Sequence, residues 1–396
     1  MRAPPTAAYA AYAMSAGCVL ASLASPAAFA DVQDIISNEA PVEAAAHAAP
    51  VAPPGAADAA DAADAGAKKE QFTVVPIPLS DPTLGSGLVA AGLYFHAQTA
   101  EEAKVQPATL TAAFALATDN GSRVAGVAHA SYWDADRWRF SGIAGYGHLN
   151  LDFFGAGSLT APQEASARWT VDATIVHPKL YRQFDDHWYA GAQMRYVDAR
   201  QTFGTATGIA VPLAENITSV GAGLMIERDT RDNQFNAYSG SLFQFDALFN
   251  RTGLGSDGDY NAVTVRWRTY FSLSSTLVLA VDTRGCSRTG EVPLFDACFL
   301  QLRGFPLTRY IGNAMAMAQA EFRWRVAGPV GLVAFAGIGT VASRPGELRF
   351  DPASAAIGYG VGVRYMLLDS QRINLSVDLA RGGGSNALYV SVAEAF

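Results

Sequence analysis

The sequence predicts an all-β protein, an antiparallel transmembrane β-barrel of about 16 strands, with about 14 as the alternative. Three observations support this fold class. Segments of about ten residues alternate apolar and polar side chains, the chain combines 37 glycines with 11% aromatic residues, and only 16% of its 396 residues are charged. The chain also lacks the run of about 20 apolar residues that a membrane-spanning helix needs.

The alternation is clear in residues 241–250, where three phenylalanines share one face. Phe243, Phe245 and Phe249 fall on one face, while Gln244 and Asp246 fall on the other. A period of two with one apolar face indicates strands. A soluble sandwich would alternate as well. However, the polar faces repeatedly carry arginine and carboxylate at mid-strand and aromatics lie near the segment ends, which favours a membrane barrel with a wet lumen.

Sixteen candidate strands follow one another from residue 71 onward. Their centres lie near Val75, Val89, Phe114, Val127, Gly145, Ala173, Met194, Leu224, Phe245, Val265, Ala280, Ala318, Phe335, Gly362, Val377 and Val390. The first is the weakest, because Pro76 and Pro78 require an edge or irregular position.

Loop lengths provide a check on strand parity, since such barrels have short periplasmic turns and long extracellular loops. If Phe396 lies in the periplasm, the short connections fall there and the long ones fall outside. The predicted turns are 185–186, 272–275, 327–329 and 368–371, and the predicted loops are 154–164, 205–215, 252–259, 289–307 and 343–355. The long connection at 97–106 breaks the rule, so the first three strands are the least well defined.

The N-terminal region predicts export. Residues 1–30 read as a cleaved signal peptide, with Arg2, an apolar stretch, and Ala28-Phe29-Ala30 before the cut. A lipoprotein site at Cys18 is disfavoured because Ser15 stands where an apolar residue is expected. Residues 31–70 predict a disordered Ala/Pro-rich periplasmic linker, and residues 71–396 the barrel domain.

Cys286 and Cys298 remain after the predicted cleavage. An even pair in an oxidising compartment predicts a disulfide that stabilises the protein by about 2–3 kcal/mol at most. Neither a Cys-x-x-Cys motif nor a neighbouring histidine pair accompanies them, so the sequence predicts no metal site.

The sequence also predicts no catalytic residue, no cofactor and no enzyme activity. The six histidines are scattered and no Gly-x-Ser-x-Gly elbow is present. Gly253, Gly255 and Gly258 match a dinucleotide fingerprint, but they lie between two alternating strands rather than before a helix. A net charge of −8 argues against nucleic-acid binding.

One stretch resembles a known family. Arg303, Gly304 and Phe305 resemble the Arg-Gly-Phe/Tyr element in the long sixth loop of the BamA/TamA (bacterial surface antigen) superfamily. The segment that follows, through Glu321, resembles the next strand of that family. The segments 229–233 and 388–396 resemble a strand-end motif and the final strand, so the resemblance covers 71–396.

The resemblance implies that this loop folds into the lumen and that Arg303 pairs with two carboxylates. Glu321 matches the first and faces the lumen by alternation. Gly337 stands where the family has the second, an aspartate, so the pairing is single or uses Asp229 or Asp378 instead. The alternative interpretation is that Arg303 is only a stabilising strut.

The last strand carries an apolar stripe, Leu388, Val390, Val392 and Phe396, which is expected to face lipid. The cell's barrel-assembly machinery would read this stripe as an insertion signal. Alternatively, it is simply a strand of an outer-membrane barrel.

Family members carry periplasmic POTRA domains, where this sequence has only the predicted linker. We therefore expect a POTRA-less barrel of the Gram-negative outer membrane that assists assembly, insertion or translocation of proteins or lipids. The expected mechanism is a weak seam between the first and last strands, where Pro76 and Pro78 cannot donate to the ladder. A passive pore and a structural or surface-antigen barrel are the alternatives.

The expected partners follow from the expected location and seam. They are outer-membrane lipids and lipopolysaccharide, the barrel-assembly machinery during biogenesis, and client proteins or lipids at the seam. A barrel that lacks part of its wall would also be able to complete itself as a homodimer. The sequence does not specify the client or whether the pore is plugged.

Overall fold

The computed structural model describes residues 70–154, 167–205, 213–233, 235–351, 354–369 and 372–396. Within them, sixteen antiparallel strands close into one barrel, which confirms the predicted fold class and strand number. The described residues contain no helix with the length and apolar character needed to cross a membrane. The predicted signal peptide, and the predicted linker up to residue 69, lie outside the described residues.

Each predicted strand centre falls within a different barrel strand. The barrel strands are β1 (Gln71–Asp81), β2 (Gly85–Phe95), β3 (Leu110–Thr118), β4 (Arg123–Trp133), β5 (Trp138–Phe153), β6 (Ala167–Asp185), β7 (Trp188–Thr205), β8 (Leu213–Asp229), β9 (Gly240–Asn250), β10 (Tyr260–Ser272), β11 (Leu277–Gly290), β14 (Ala314–Ala327), β15 (Val330–Ala342), β16 (Ala356–Leu368), β17 (Ile373–Gly382) and β18 (Ser385–Val392). A separate two-stranded sheet, β12 (Cys298–Phe299) and β13 (Ile311–Gly312), lies between β11 and β14.

We call the end of the barrel that holds Phe396 the periplasmic end and the other the extracellular end. Most turns at the periplasmic end are short, as at 186–187 and 328–329. Two connections there are long. Residues 96–109 include the helix α1 (Glu102–Val105), and residues 230–239 join β8 to β9.

Four strands are much longer than the rest. β5 to β8 contain 16, 19, 18 and 17 residues. At about 3.3 Å per residue, 19 residues span about 60 Å, whereas the apolar band of such a barrel is about 25 Å tall. These strands therefore project beyond the membrane.

The outer surface of the barrel carries a band of exposed apolar side chains. Trp267, Phe322, Trp324, Val361 and Leu379 are each between 47% and 60% exposed. Soluble monomers rarely leave such a continuous apolar surface in water. The band is suited to contact with hydrocarbon.

The lumen is lined by polar side chains on only one side, which corrects the expectation, drawn from alternation, of a wet lumen throughout. The inner face of β1–β4 and the extracellular halves of β5 and β6 form an apolar wall. Its side chains include Ile77, Leu79, Val89, Leu93, Leu110, Leu116, Ala128, Leu149, Trp169 and Val171, each at most 8% exposed. Strands covered by apolar groups on both faces read as continuous apolar runs, so their alternation is weak in the sequence.

Candidate functional site

The candidate site is built around loop 6, which we define as residues 291–313 between β11 and β14. Loop 6 folds back into the lumen, where Phe299, Leu307 and Ile311 pack against the apolar wall. The Phe299 ring stacks on Trp169 of β6, with the ring centroids 6.4 Å apart. An apolar loop face and an apolar lumen face thus bury each other.

A disulfide ties loop 6 to the barrel wall. Cys286 of β11 and Cys298 of loop 6, the predicted pair, are bonded with their Cα atoms 5.8 Å apart. Both are at most 9% exposed. The disulfide fixes the part of loop 6 that precedes its tip against β11.

The tip of loop 6 places Arg303 beside two carboxylates, Glu321 of β14 and Asp378 of β17. Its guanidinium lies 2.6 Å from a Glu321 oxygen and donates to Asp378 at 3.0 Å. Asp378 of β17 therefore takes the second position that the sequence left open between two aspartates. Asp229, the other candidate, pairs with Arg231 at 2.7 Å instead.

Gly337 stands at a position that has no room for an aspartate side chain. A Cβ at this position would lie 2.5 Å from the Gln319 side chain and 2.6 Å from Leu302 of loop 6. Loop 6 thus packs directly on the glycine. The carboxylate comes from β17 because β15 has no room for it.

The Arg303 pairs belong to a larger network that sequence reasoning missed. Arg323 of β14 bonds Glu321 at 2.7 Å, and Arg364 of β16 bonds Glu394 at 2.7 Å and also Asp378. This charged network holds three arginines and three carboxylates, all with side chains at most 10% exposed. Arg323 and Arg364 were open to prediction, because the alternation of their strands places both side chains in the lumen. Glu394 was not, because it follows the last strand, where no alternation indicates its direction.

Gly304 lets the loop tip approach the barrel closely. Its φ is +106°, and a Cβ there would lie 2.8 Å from the carbonyl carbon of Arg381. The Gly304 N–H donates to the Tyr389 hydroxyl of β18 at 2.9 Å. Phe305 then fills the space above Gly382, where a Cβ would meet its ring at 2.4 Å.

The barrel closes where β1 meets β18, and we call this junction the seam. β1 pairs with β2 along its whole length, from Gln71 opposite Phe95 to Asp81 opposite Gly85. Against β18 it has one registered pair, Ser80 opposite Val390.

Loop 6 contacts both sides of the seam at its extracellular end. On the β18 side, Gly304 bonds Tyr389. On the β1 side, the Leu307 N–H donates to the Thr83 hydroxyl, in the turn after β1, at 2.9 Å. The loop therefore bridges a junction whose own ladder is short.

The last strand departs in part from the expected lipid-facing stripe. Leu388 is exposed, and Val390 and Val392 are half-buried. Phe396 is only 7% exposed and packs with Ala237, Tyr270 and Ala280 inside the periplasmic end. The chain turns inward after Val392, where Ala393 has φ +96°, and Arg323 binds the Phe396 oxygen at 2.6 Å.

Residues 230–233 and 235–239, between β8 and β9, form what we call the periplasmic clasp. Arg372, in the turn before β17, donates to Asp232 at 2.7 Å and lies 4.1 Å above the Tyr238 ring. Burial alone would raise the pKa of Asp232. Hydrogen bonds from Arg372 and from the N–H groups of Ser239 and Tyr238 instead hold it below its ordinary value.

Among the residues that the structure describes, no three His, Cys, Asp or Glu side chains are grouped to hold a metal ion. The buried carboxylates of the charged network are all committed to arginines.

The Omp85 superfamily domain model matches residues 129–367, more than half of the chain. The chain belongs to the Omp85 superfamily. This result confirms the resemblance to the BamA/TamA barrels and places the protein among outer-membrane barrels.

Solved structures agree with the fold of this Omp85 barrel. BamA from Haemophilus ducreyi lacking POTRA domains 1–3 aligns with a TM-score of 0.58 at 12% identity, covering 83% of this chain and 71% of that chain. CdiB from Escherichia coli aligns with a TM-score of 0.55 at 11% identity, covering 83% of this chain and 63% of that chain. CdiB from Acinetobacter baumannii aligns with a TM-score of 0.51 at 10% identity, covering 82% of this chain and 60% of that chain.

At these identities the likeness concerns the fold alone. The chain spans less than two thirds of either CdiB chain. Comparison with curated protein sequences finds no match.

Proposed function

We propose that this Omp85 barrel assists the assembly, insertion or translocation of proteins or lipids at the outer membrane by opening its seam. The observation that carries the proposal is the single registered pair between β1 and β18, Ser80 with Val390. A ladder this short is the weakest junction in the barrel. Its opening would cost far fewer hydrogen bonds than the separation of any other neighbouring strands.

An open seam would expose two strand edges of different character. β18 would present free N–H and C=O groups, which can template an incoming strand. β1 contains Pro76 and Pro78, neither of which has an N–H to donate. The β18 edge is therefore the proposed docking edge for a client strand.

Loop 6 is the proposed latch of the seam. Release of Arg303 from Glu321 and Asp378 would free the tip that holds both Tyr389 and Thr83. Closure would then depend on the short ladder alone.

Photocrosslinking in cells tests the proposal. A crosslinking amino acid at Val390 on β18 is compared with one at Val265 on β10, another half-buried position. Adducts to outer-membrane proteins or lipids at Val390 alone would support an active seam. Equal labelling at both positions, or none at either, would indicate a closed barrel with a passive structural or surface role.

We also propose that residues 1–30 are cleaved after export and that residues 31–70 remain as a linker. N-terminal sequencing of the protein purified from outer membranes tests this, with Asp31 expected as the first residue. The proposed surroundings are lipopolysaccharide and other outer-membrane lipids, and the proposed route of insertion is recognition of Leu388, Val390 and Val392 by the barrel-assembly machinery. The homodimer stays a prediction.

A further inference from the structure

A second group of arginines lies in the lumen, on β10 and β11. Arg266 and Arg268 of β10 and Arg284 of β11 surround Asp282. Arg284 bonds it at 2.8 Å and Arg266 at 3.2 Å, while the nearest Arg268 nitrogen is 3.7 Å away. All four residues are at most 8% exposed.

The formal charges of this group do not balance. Three guanidinium groups share Asp282, and Asp246 on the neighbouring strand β9 is the next carboxylate along the wall. If Asp246 is counted in full, the group still carries one excess positive charge. The charged network around Arg303, by contrast, has equal numbers of both signs. An uncompensated buried charge is costly, and an anion would offset it.

Arg268 supplies the donor that points to a ligand. Its side chain is nine-tenths buried, and its Nε has no hydrogen-bond acceptor among the described residues. Asp282, opposite it on β11, already accepts from Arg266 and Arg284. The Arg268 N–H is therefore left for a group that the protein does not provide.

Space for such a group adjoins one of the three arginines, Arg284. A cavity beneath loop 6 is lined by Arg284, Gln301 and Gln319, and also by Arg303, Asp378 and Glu394 of the charged network. Gln319 stands opposite Asp282 on β14, and its side-chain NH2 donates to the Gln301 carbonyl at 3.2 Å.

We infer that Arg266, Arg268 and Arg284 form a luminal binding site for a phosphate-class oxyanion. Guanidinium groups pair with tetrahedral phosphate oxygens through two parallel N–H donors. Three of them surround Asp282 here. The chemistry fits free phosphate and the phosphate monoester headgroup of a lipid equally. The inference stands whether or not the seam opens.

Titration calorimetry on the full-length protein in detergent tests the site with two probes, inorganic phosphate and dihexanoyl phosphatidic acid. We expect saturable binding with one site per barrel. Arg268→Gln should weaken it about tenfold or more, because a charge-assisted hydrogen bond is lost. Arg123→Gln removes an exposed arginine at the extracellular start of β4 and should leave binding unchanged.

Thermal unfolding provides a second readout that a purely structural arginine would not give. Phosphate should raise the Tm of the wild-type barrel, since it binds the folded state alone. Arg268→Gln, which removes the excess charge, should unfold at a higher Tm than wild type without phosphate and should not respond to it. Arg268→Lys keeps the positive charge but lacks the paired N–H donors of a guanidinium, so this variant should bind phosphate with intermediate affinity.

The outcomes are distinct. Equal affinity for the two probes assigns the site to free phosphate, and much tighter binding of the phosphatidic acid assigns it to a lipid headgroup. Absence of saturable binding by both probes, or unchanged binding in Arg268→Gln, would overturn the inference. If Arg268→Gln fails to fold, Arg268→Lys and the wild-type Tm response to phosphate decide it.

Discussion

At the scale of single residues, the second carboxylate partner of Arg303 comes from β17 and not from β15. Leu302 of loop 6 packs against Gly337 of β15. Asp378 reaches the Arg303 guanidinium from β17. Arg303 thus pairs with carboxylates of two strands, β14 and β17.

We predict that Glu321→Gln destabilises the barrel more than a typical surface substitution. Glu321 is fully buried and contacts both Arg303 and Arg323, so the variant leaves two arginines with less compensation. Loss of one partner from a buried ion pair costs about 3–5 kcal/mol. The measurement is the temperature at which the folded band disappears on semi-native gels, compared with wild type.

The control for Glu321→Gln is Glu101→Gln, which removes a highly exposed carboxylate paired with Lys104. That variant should change stability by less than about 1 kcal/mol. Similar melting temperatures for the two variants would contradict a stabilising role for the Arg303 pair.

Sequence reasoning identified Arg303 and Glu321 but only part of their surroundings. Alternation assigns a side chain to the lumen, yet it does not tell which strand of a closed barrel lies opposite. The choice between Asp229 and Asp378 depended on that, and it required the fold. Phe396 was misplaced for a related reason, since alternation ends where Ala393 turns the chain.

At the scale of elements, the strands were predicted well where one face is polar and less clearly where both faces are apolar. β9, β10 and β14 alternate and were easily recognised. β1 to β3 were the least certain because the apolar wall on one side and lipid on the other remove the polar signal.

The seam predicts a contrast between two engineered disulfides. Ser80→Cys with Val390→Cys should cross-link the seam, and Phe245→Cys with Val265→Cys should cross-link a continuous ladder, since both pairs are in register. With the crosslinking amino acid moved to Leu388, the exposed neighbouring position on β18, the seam disulfide should abolish client adducts in cells, and reduction should restore them. The β9–β10 disulfide should have no such effect. Equal effects of the two cross-links would argue against a seam that opens.

The periplasmic clasp predicts a pH dependence. Because the pKa of Asp232 is lowered in the folded protein, its bonds stabilise the clasp above the unfolded value of about 4. They are lost as the pH falls through the lowered value. The exchange protection of the Tyr238 and Ser239 amides should therefore fall below about pH 4.

Asp232→Ala, which leaves no side-chain acceptor for these two amides, should remove that protection at neutral pH. The Leu277 amide, which donates to the Ser274 hydroxyl at 3.1 Å, is a control without a titrating acceptor. Its protection should not change with pH in either protein. Retained protection of Tyr238 in Asp232→Ala would show that Asp232 does not hold the clasp.

At the scale of the whole molecule, two inserted segments occupy the lumen from opposite ends. Loop 6 enters from the extracellular side, and the clasp enters from the periplasmic side with Phe235 against the apolar wall. Two plugs leave little room for a continuous water path.

We predict a low conductance for the intact barrel in planar bilayers. Deletion of residues 299–310, with Cys298 and Cys286 retained, should raise it severalfold because the lumen loses its extracellular plug. The control is a deletion of residues 345–351, a mostly exposed segment of the loop between β15 and β16, which should leave the conductance unchanged. A large, steady conductance of the intact protein would favour the passive-pore alternative.

The apolar wall has a consequence for the protein before its barrel exists. β1–β4 bury Ile77 and Leu93 on one face and present Phe72, Leu88 and Val127 on the other. In transit through the periplasm neither face has a partner, and such segments aggregate readily. We therefore expect the first quarter of the folded domain to need holding chaperones most. Strands such as β10, β11 and β14, which carry charged side chains on one face, should aggregate less readily before they insert.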